Sequence, residues 1–212
     1  MSNIAKTEVW IASHLTSDLQ CTWLCEAIKS CGELSVVVSL SGSEEYISKF
    51  KELYVPKDSH KIHFRTKKYQ FDHLSSICSE STLDDHDIVI FLDDDDLLLK
   101  HDKSSQDVNA YLGFQYIGID AKNNVADFNK NATNGNINKY ISESHSVLIK
   151  DYDFSGTTVK FGYIKYYFEH QREKYMSPLE DVHFMKCIES VPNFIVLSEP
   201  NIFRRIKGEP SS

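Results

Sequence analysis

The sequence lacks any apolar run long enough to cross a membrane, and its amino end lacks the basic and then apolar layout of a secretory signal. A spanning helix needs about 18 or more apolar residues, and a signal peptide needs a charged segment followed by an apolar one. We therefore expect a soluble, cytoplasmic protein without a membrane span.

Basic residues are fewer than acidic residues, and the number of cysteines does not suggest a disulfide framework. Lys and Arg number 23 against 31 Asp and Glu, so the formal net charge is -8. A surplus of negative charge repels a phosphate backbone, which argues against nucleic acid as a partner. The cysteines number 5, and an odd number in a chain of 212 residues fits free thiols in a reducing compartment better than a disulfide framework.

The first half of the chain alternates strand-like and helix-like segments. Its 212 residues, 41% of them hydrophobic, suffice for one substantial core, and we expect a single domain over residues 1–212 with its core at about 8–205. Amphipathic segments separate four strand-like runs, which are Val9–Ala12, Val36–Val38, Lys61–Thr66 and Ile88–Leu92. This alternation predicts an α/β protein with a Rossmann-like, mostly parallel central sheet and helices on both faces.

Polar residues follow two of the predicted strands. Ser13, His14 and Leu15 come after the first strand, and the four aspartates Asp93–Asp96 come after the fourth. Ligands of mostly parallel sheets bind beyond the carboxyl ends of the strands. We therefore expect Ser13, His14 and Leu15 to contact a nucleotide.

The acidic run Asp93–Asp96 is the most informative feature of the sequence. Clustered carboxylates repel one another and raise one another's pKa, so a fold that keeps them together usually brings in a cation. Carboxylate oxygens combined with substrate phosphates suit Mg²⁺ or Mn²⁺. In an extended segment Asp93 and Asp95 point to the same side, so we expect them to share the metal while Asp94 faces a ribose or sugar hydroxyl. The alternative is a solvated acidic turn or helix start, where aspartate is favoured in any protein.

Three segments resemble one enzyme family. The stretch Ile88–Leu97, IVIFLDDDDL, is similar to the strand-plus-DxD signature of GT-A glycosyltransferases, and its DxDD form resembles that of family 2. Arg65–His73 stands where those enzymes keep nucleotide contacts, and Pro178–Phe184 resembles the Glu-Asp motif that carries the catalytic base in inverting members. The pattern departs at Ser39–Gly42, where family 2 enzymes usually have an aspartate for the base. The sequence also resembles the amino-terminal domain of a larger glycosyltransferase encoded by chlorella viruses.

The resemblance implies a GT-A fold and a metal-dependent glycosyltransferase. The donor it implies is a nucleotide-sugar, namely a UDP-sugar with glucose or a deoxyhexose such as rhamnose, and the acceptor is a glycan or glycoprotein. Mn²⁺ or Mg²⁺ is the expected cofactor, and a viral enzyme would act in the host cytoplasm. The remaining expected site residues are Asp93, Asp95 and His183 for the metal, Arg65, Lys68, His73, Asp93 and Asp94 for the nucleotide-sugar, and Asp181 and Glu180 for catalysis.

Two segments of the second half have competing interpretations. Ser177–Glu180 is a capping box in its own right, which explains Glu180 by helix initiation and leaves Asp181 as the candidate base. The aromatic stretch Phe161–Phe168 suits a platform for an acceptor sugar and suits core packing equally well.

Two other classes of protein remain open. A strand ending in DxD also begins haloacid-dehalogenase-like phosphatases, whose first aspartate is the nucleophile. Their motif normally follows the first strand, however, and Leu97 stands where Thr or Val is usual. The third class is a non-catalytic cation-binding or sugar-binding module, although calcium loops usually interleave Gly, Asn and Asp.

Overall fold

The structure is a computed structural model that describes residues 5–66, 69–99, 109–116, 135, 152–172, 180–197 and 201–204. The strands are β1 (Thr7–Leu15), β2 (Ser35–Gly42), β3 (His60–Phe64), β4 (Ile88–Phe91), β5 (Asp96–Leu98), β6 (Ala110–Tyr116), β7 (Tyr152–Lys160), β8 (Phe194–Val196) and β9 (Ile202–Arg204). The helices are α1 (Asp18–Ser30), α2 (Glu44–Leu53), α3 (Gln70–Glu80), α4 (Phe161–His170) and α5 (Glu180–Glu189). None of these helices is long and apolar enough to cross a membrane.

The strands form one sheet with the order β3-β2-β1-β4-β7-β6-β9-β5, and β8 pairs with β6. The neighbours β3, β2, β1 and β4 are parallel. β7 is antiparallel to both of its neighbours, β4 and β6. Both β8 and β9 are parallel to β6, and β5 is antiparallel to β9. Within the described ranges, β7 and β5 therefore run against the other strands. The predicted mostly parallel α/β sheet is confirmed, while the domain extent of 1–212 stays a prediction.

Helices cover both faces of the sheet because the side chains of each strand alternate between two cores. On β1, Val9 and Ile11 enter the core beneath α1 and α2, whereas Trp10 and Ala12 enter the core beneath α3, α4 and α5. The buried members of Phe161–Phe168 belong to this second core. Core packing, one of the two interpretations of that aromatic stretch, therefore accounts for them.

Serine hydroxyls begin the helices that follow β1 and β2. Ser17 Oγ accepts a hydrogen bond from the Gln20 amide at 3.3 Å, and Ser43 Oγ accepts one from the Tyr46 amide at 3.4 Å. Such caps satisfy amide groups that have no partner within the helix. They hold the chain that leaves both strands at the carboxyl edge of the sheet, where the candidate site lies.

Asp96, the last residue of the acidic run, begins a strand. In the pairing of β5 with β9, Asp96 lies opposite Arg204 and Leu97 opposite Phe203. Leu97 and Phe203 are buried. The last aspartate of the acidic run is therefore held in the sheet.

Gly156 lets β7 pass close to β9. Its φ is 81°, and a Cβ built there would lie 2.3 Å from Ile202 Cγ1 and 3.0 Å from Asn201 Oδ1. Asn201 Nδ2 also donates a hydrogen bond to the Gly156 carbonyl at 2.9 Å. β7 and β9 are therefore in direct contact at Gly156.

The packing at Gly156 predicts a large loss of stability for Gly156→Ala. The matched control is Gly32→Ala, because Gly32 has a φ of 61° but nothing lies within 4 Å of its Cβ position. Left-handed backbone costs roughly 1–2 kcal/mol for a non-glycine residue in both variants. Overpacking should make Gly156→Ala less stable than the control by roughly a further 1–3 kcal/mol in urea unfolding. Equal losses would contradict the close packing of β7 on β9.

Candidate functional site

A tight turn brings the carboxylates of the acidic run together. β4 ends at Phe91, and the Asp96 amide donates a hydrogen bond to the Asp93 carbonyl at 3.2 Å, which closes the turn. One carboxylate oxygen each of Asp93, Asp95 and Asp96 lies within 4.8 Å of the other two. The expected proximity of Asp93 and Asp95 is thus observed, although a turn and not the expected extended segment produces it, and Asp96 joins them.

Asp96 is the buried member of this acidic triad of Asp93, Asp95 and Asp96. Its exposed fraction is 2%, and its Oδ1 has no hydrogen-bond partner among the described residues. Burial raises the pKa of the Asp96 carboxyl well above its usual value, and the charges of Asp93 and Asp95 raise it further. A hydrogen bond from Ser155 and the charge of Arg204 offset part of this increase. A buried oxygen without a partner, beside two further carboxylates, fits a hard divalent cation such as Mg²⁺ or Mn²⁺.

Neighbouring elements hold the first two aspartates. Gln70 Nε2, at the start of α3, donates to Asp93 Oδ1 at 2.8 Å, and the Asp93 amide donates to Ser155 Oγ of β7 at 3.1 Å. Ser13 Oγ, near the end of β1, donates to Asp94 Oδ2 at 2.5 Å. The expected nucleotide contacts Ser13 and Asp94 therefore lie together, and Asp94 is tied to β1 rather than to the triad.

A chain of hydrogen bonds crosses the carboxyl ends of β1 and β2. His14 Nδ1 lies 2.8 Å from Ser41 Oγ, which lies 3.0 Å from His73 Nε2. His73 Nδ1 lies 2.8 Å from Ser39 Oγ, which accepts from Arg65 Nε at 2.9 Å. Three expected nucleotide contacts, His14, His73 and Arg65, thus form one network through two serines that were not among the expected site residues.

The members of this network differ in their access to a ligand. His14 is half-buried at the strand end, whereas His73 is 1% exposed and both of its ring nitrogens face serine hydroxyls. The Arg65 guanidinium also donates to Glu80 Oε2 at 2.6 Å. Leu15 is 1% exposed within the core, which leaves it no surface for a ligand, and Lys68 lies outside the described residues.

The expected catalytic residues lie at the start of α5. Arg172 Nε donates to Glu180 Oε1 at 2.7 Å, and its Nη2 donates to Asp72 Oδ1 of α3 at 2.5 Å. Asp181 is half-buried and accepts from the Val182 amide at 2.8 Å. His183 lies on the same helix and is not a member of the acidic triad. The roles of Glu180, Asp181 and His183 stay predictions, and Ser177 of the capping box lies outside the described residues.

Comparisons with known proteins identify the fold. No family model matches the chain, and no curated protein matches its sequence. TarS from S. aureus, residues 1–349, superimposes with a TM-score of 0.52 at 11% identity, over 94% of this chain and 60% of that chain. HddC from Yersinia pseudotuberculosis gives 0.50 at 15% identity, over 90% and 89%. A third structure, 4-diphosphocytidyl-2C-methyl-D-erythritol synthase from Anaerococcus prevotii, gives 0.49 at 10% identity, over 91% and 86%.

The likeness to TarS and HddC is one of fold. It confirms the expected GT-A type of α/β architecture. The chain spans 60% of the length of the TarS fragment. The resemblance to a chlorella-virus glycosyltransferase stays a prediction.

The raised pKa of Asp96 predicts that metal-free protein loses stability as the pH rises. A carboxyl group whose folded pKa exceeds its unfolded pKa of about 3.9 stabilises the fold fully below that value, and this stability is lost as the pH rises through the folded pKa. Asp96→Asn keeps the shape of the side chain but removes its charge. In the presence of a chelator, the unfolding free energy of this variant should therefore change less between pH 4 and pH 8 than that of wild type. At pH 8 it should exceed the wild-type value.

The control for this measurement is Asp87→Asn. Asp87 is also buried, but its carboxylate accepts hydrogen bonds from the Lys6 and Asp84 amides at 2.8 Å each. Its replacement should cost about 1–3 kcal/mol at both ends of the pH range. If Asp96→Asn destabilised metal-free protein at pH 8 as much as Asp87→Asn, the burial of a carboxyl with one unpartnered oxygen at Asp96 would be wrong.

Proposed function

We propose that this protein is a metal-dependent glycosyltransferase that moves a sugar from a nucleotide-sugar, a UDP-sugar with glucose or a deoxyhexose, to a glycan or glycoprotein acceptor. The observation that carries the proposal is Asp96, whose buried oxygen lacks a partner among the described residues and lies beside Asp93 and Asp95 at the carboxyl edge of a GT-A-type sheet. A divalent cation would balance the charge of these carboxylates and supply the missing partner. The shared fold with TarS and HddC is in keeping with a transferase of the GT-A kind.

Asp93, Asp95 and Asp96 would hold the Mn²⁺ or Mg²⁺ ion. When bound, such an ion neutralises the charge that grows on a departing diphosphate. The protein's own contribution is to hold the carboxylates in place: Gln70 fixes Asp93, and the strand pairing of β5 fixes Asp96. Preorganised charge of this kind needs no rearrangement during the reaction.

Polar side chains at the carboxyl end of β1 are candidates to contact the nucleoside half of the donor. Ser13 donates to Asp94, and His14 is half-buried. We therefore assign the ends of β1 and β2 to the nucleoside.

Asp181 is the better candidate for the base that removes a proton from the acceptor hydroxyl. Glu180 is engaged by the Arg172 guanidinium, which also binds Asp72 and so serves to fix α5 against α3. Asp181 follows it in the first turn of α5, where the helix dipole favours an ionised carboxylate. A carboxylate that stays ionised can accept the proton of the attacking hydroxyl.

The first test of the proposal is nucleotide binding with and without metal. Calorimetry should show UDP binding in Mn²⁺ that is lost in chelator, and Asp95→Ala should remove the metal-dependent part while circular dichroism stays that of wild type. Asp58→Ala is the matched control, because Asp58 is exposed just before β3, at the opposite edge of the sheet. A ligand at one hundred times its dissociation constant raises stability by about 2.7 kcal/mol, so thermal shifts provide a second readout.

Equal UDP affinity with and without Mn²⁺ would remove the metal from the proposal. Hydrolysis of p-nitrophenyl phosphate without turnover of UDP-sugars would favour the phosphatase class, although the acidic run follows β4 rather than β1. Binding of a cation or sugar with turnover of neither substrate would favour a non-catalytic module.

A pair of substitutions at the start of α5 tests the base. Asp181→Asn should lower the turnover number by roughly 10²–10⁴ and leave UDP affinity near wild type, because the base acts on the acceptor. Glu180→Gln should instead cost roughly 1–3 kcal/mol of stability, since it weakens a charged hydrogen bond to Arg172, with turnover of the folded fraction maintained. Asp181→Asn with half the wild-type turnover or more would remove Asp181 from catalysis.

The anomeric configuration of the product completes this test. With Asp181 as the base, the acceptor attacks from the face opposite the departing diphosphate, so the product has the inverted configuration. A product that keeps the donor configuration would show that Asp181 does not act as an inverting base.

A further inference from the structure

We propose that the hydrogen-bonded chain from Arg65 to His14 fixes His14 in the tautomer protonated at Nε2, so that His14 donates a hydrogen bond to an oxygen on the nucleoside half of the donor. This inference rests on the proposed function for its ligand, but the tautomer itself can be tested on the protein alone. In this arrangement His14 determines specificity, and Ser41, His73 and Ser39 are positioning residues.

Arg65 sets the direction of the chain because a guanidinium can only donate hydrogen bonds. Ser39 Oγ accepts from Arg65 Nε at 2.9 Å, and the other partner of this hydroxyl is His73 Nδ1 at 2.8 Å. Ser39 is 0% exposed, so its hydroxyl hydrogen cannot form a hydrogen bond to solvent. A buried hydroxyl without an acceptor is costly, and Ser39 must therefore donate to His73 Nδ1.

His73 passes the same donor-to-acceptor direction on to Ser41. A neutral imidazole that accepts at Nδ1 carries its hydrogen on Nε2. His73 Nε2 lies 3.0 Å from Ser41 Oγ, so His73 donates to Ser41. A hydrogen on both nitrogens would leave Ser39 without an acceptor.

Ser41 has two acceptors within reach for its own hydrogen. His14 Nδ1 lies at 2.8 Å, whereas the Ser13 carbonyl lies at 3.5 Å, the limit of a hydrogen bond. The shorter contact is preferred, so Ser41 donates to His14 Nδ1. His14 consequently carries its hydrogen on Nε2, the far side of the ring.

The Nε2–H of His14, at the end of β1, can donate a hydrogen bond to an acceptor oxygen on the ligand. His14 is linked through Ser41 to His73 of α3, and Gln70 at the start of α3 contacts Asp93, so His14 lies on the same face of the sheet as that contact. The acceptor is a carbonyl of the base or a hydroxyl of the ribose. A fixed donor discriminates between pyrimidines if the acceptor is the C4 carbonyl of uracil, because cytosine has an amino group, which donates, at that position.

Nitrogen-15 NMR of histidine-labelled, nucleotide-free protein tests the relay directly. Correlation spectra distinguish a protonated from an unprotonated ring nitrogen, and we expect His14 with Nδ1 unprotonated and Nε2 protonated. Ser41→Ala should convert this single tautomer into a mixture, whereas Ser35→Ala, at the opposite end of β2, should leave it unchanged. A wild-type His14 protonated at Nδ1 would overturn the relay, whatever nucleotide the protein binds.

Binding measurements in Mn²⁺ test the contact. Glutamine can place an amide N–H near the position of Nε2, and asparagine cannot reach it, so His14→Asn should weaken UDP binding by roughly 3- to 10-fold while His14→Gln retains most of it. His86→Gln is the control, because His86 is exposed before β4, at the opposite edge of the sheet.

The choice of nucleotides identifies the acceptor oxygen. If it is the C4 carbonyl of the base, His14→Asn weakens UDP but not CDP, and the wild-type preference for UDP disappears. If it is the C2 carbonyl, which both bases have, His14→Asn weakens all four nucleotides alike. If it is a ribose hydroxyl, His14→Asn weakens UDP and CDP alike and has no effect on 2′-deoxy-UDP or 3′-deoxy-UDP. Affinities within twofold of wild type for all four nucleotides would overturn the contact. Absence of any nucleotide binding would overturn the contact together with the proposed function, whereas the NMR result would still decide the relay.

Discussion

Burial of the Asp96 carboxyl group is the constraint on which the candidate site depends. Asp96 is held at the start of β5 by pairing with β9, and the Leu98 amide of the same strand donates to Ser30 Oγ of α1 at 2.9 Å. The turn that precedes it is therefore fixed at both ends. The aspartates of the triad cannot spread apart to relieve their repulsion, so the fold must either keep a proton on Asp96 or accept a cation.

The first half of the sheet could be predicted because each element has its signal in its own residues. β1 and β4 are apolar runs that end in polar residues, and the polar residues after them proved to lie at one edge. A further local signal was present at Ser39 and Ser41, which alternate with Leu40. The period of two in a strand places both hydroxyls on one face, so the two serines of the network could have been recognised from the sequence.

Other parts of the site could not be predicted because they depend on contacts between distant segments. The burial of Asp96 requires β9, whose three residues carry no strand signal strong enough to place them beside the acidic run. The contact of Gln70 with Asp93 depends on how α3 packs on the sheet, which local propensity does not determine. The metal role expected for His183 rested on ligand type alone, and α5 is anchored through Arg172 to α3 rather than to the acidic triad.

The first turn of α3 supports both ends of the site. Gln70 contacts Asp93 on the metal side, and Asp72, two residues later, binds the Arg172 that holds Glu180 at the start of α5. A displacement of this turn on binding at one end would therefore move residues that support the other end. By thermodynamic linkage, the factor by which a donor changes acceptor affinity then equals the factor by which an acceptor changes donor affinity. Cooperation between two substrates can in this way arise from one turn of helix, without any contact between the substrates themselves.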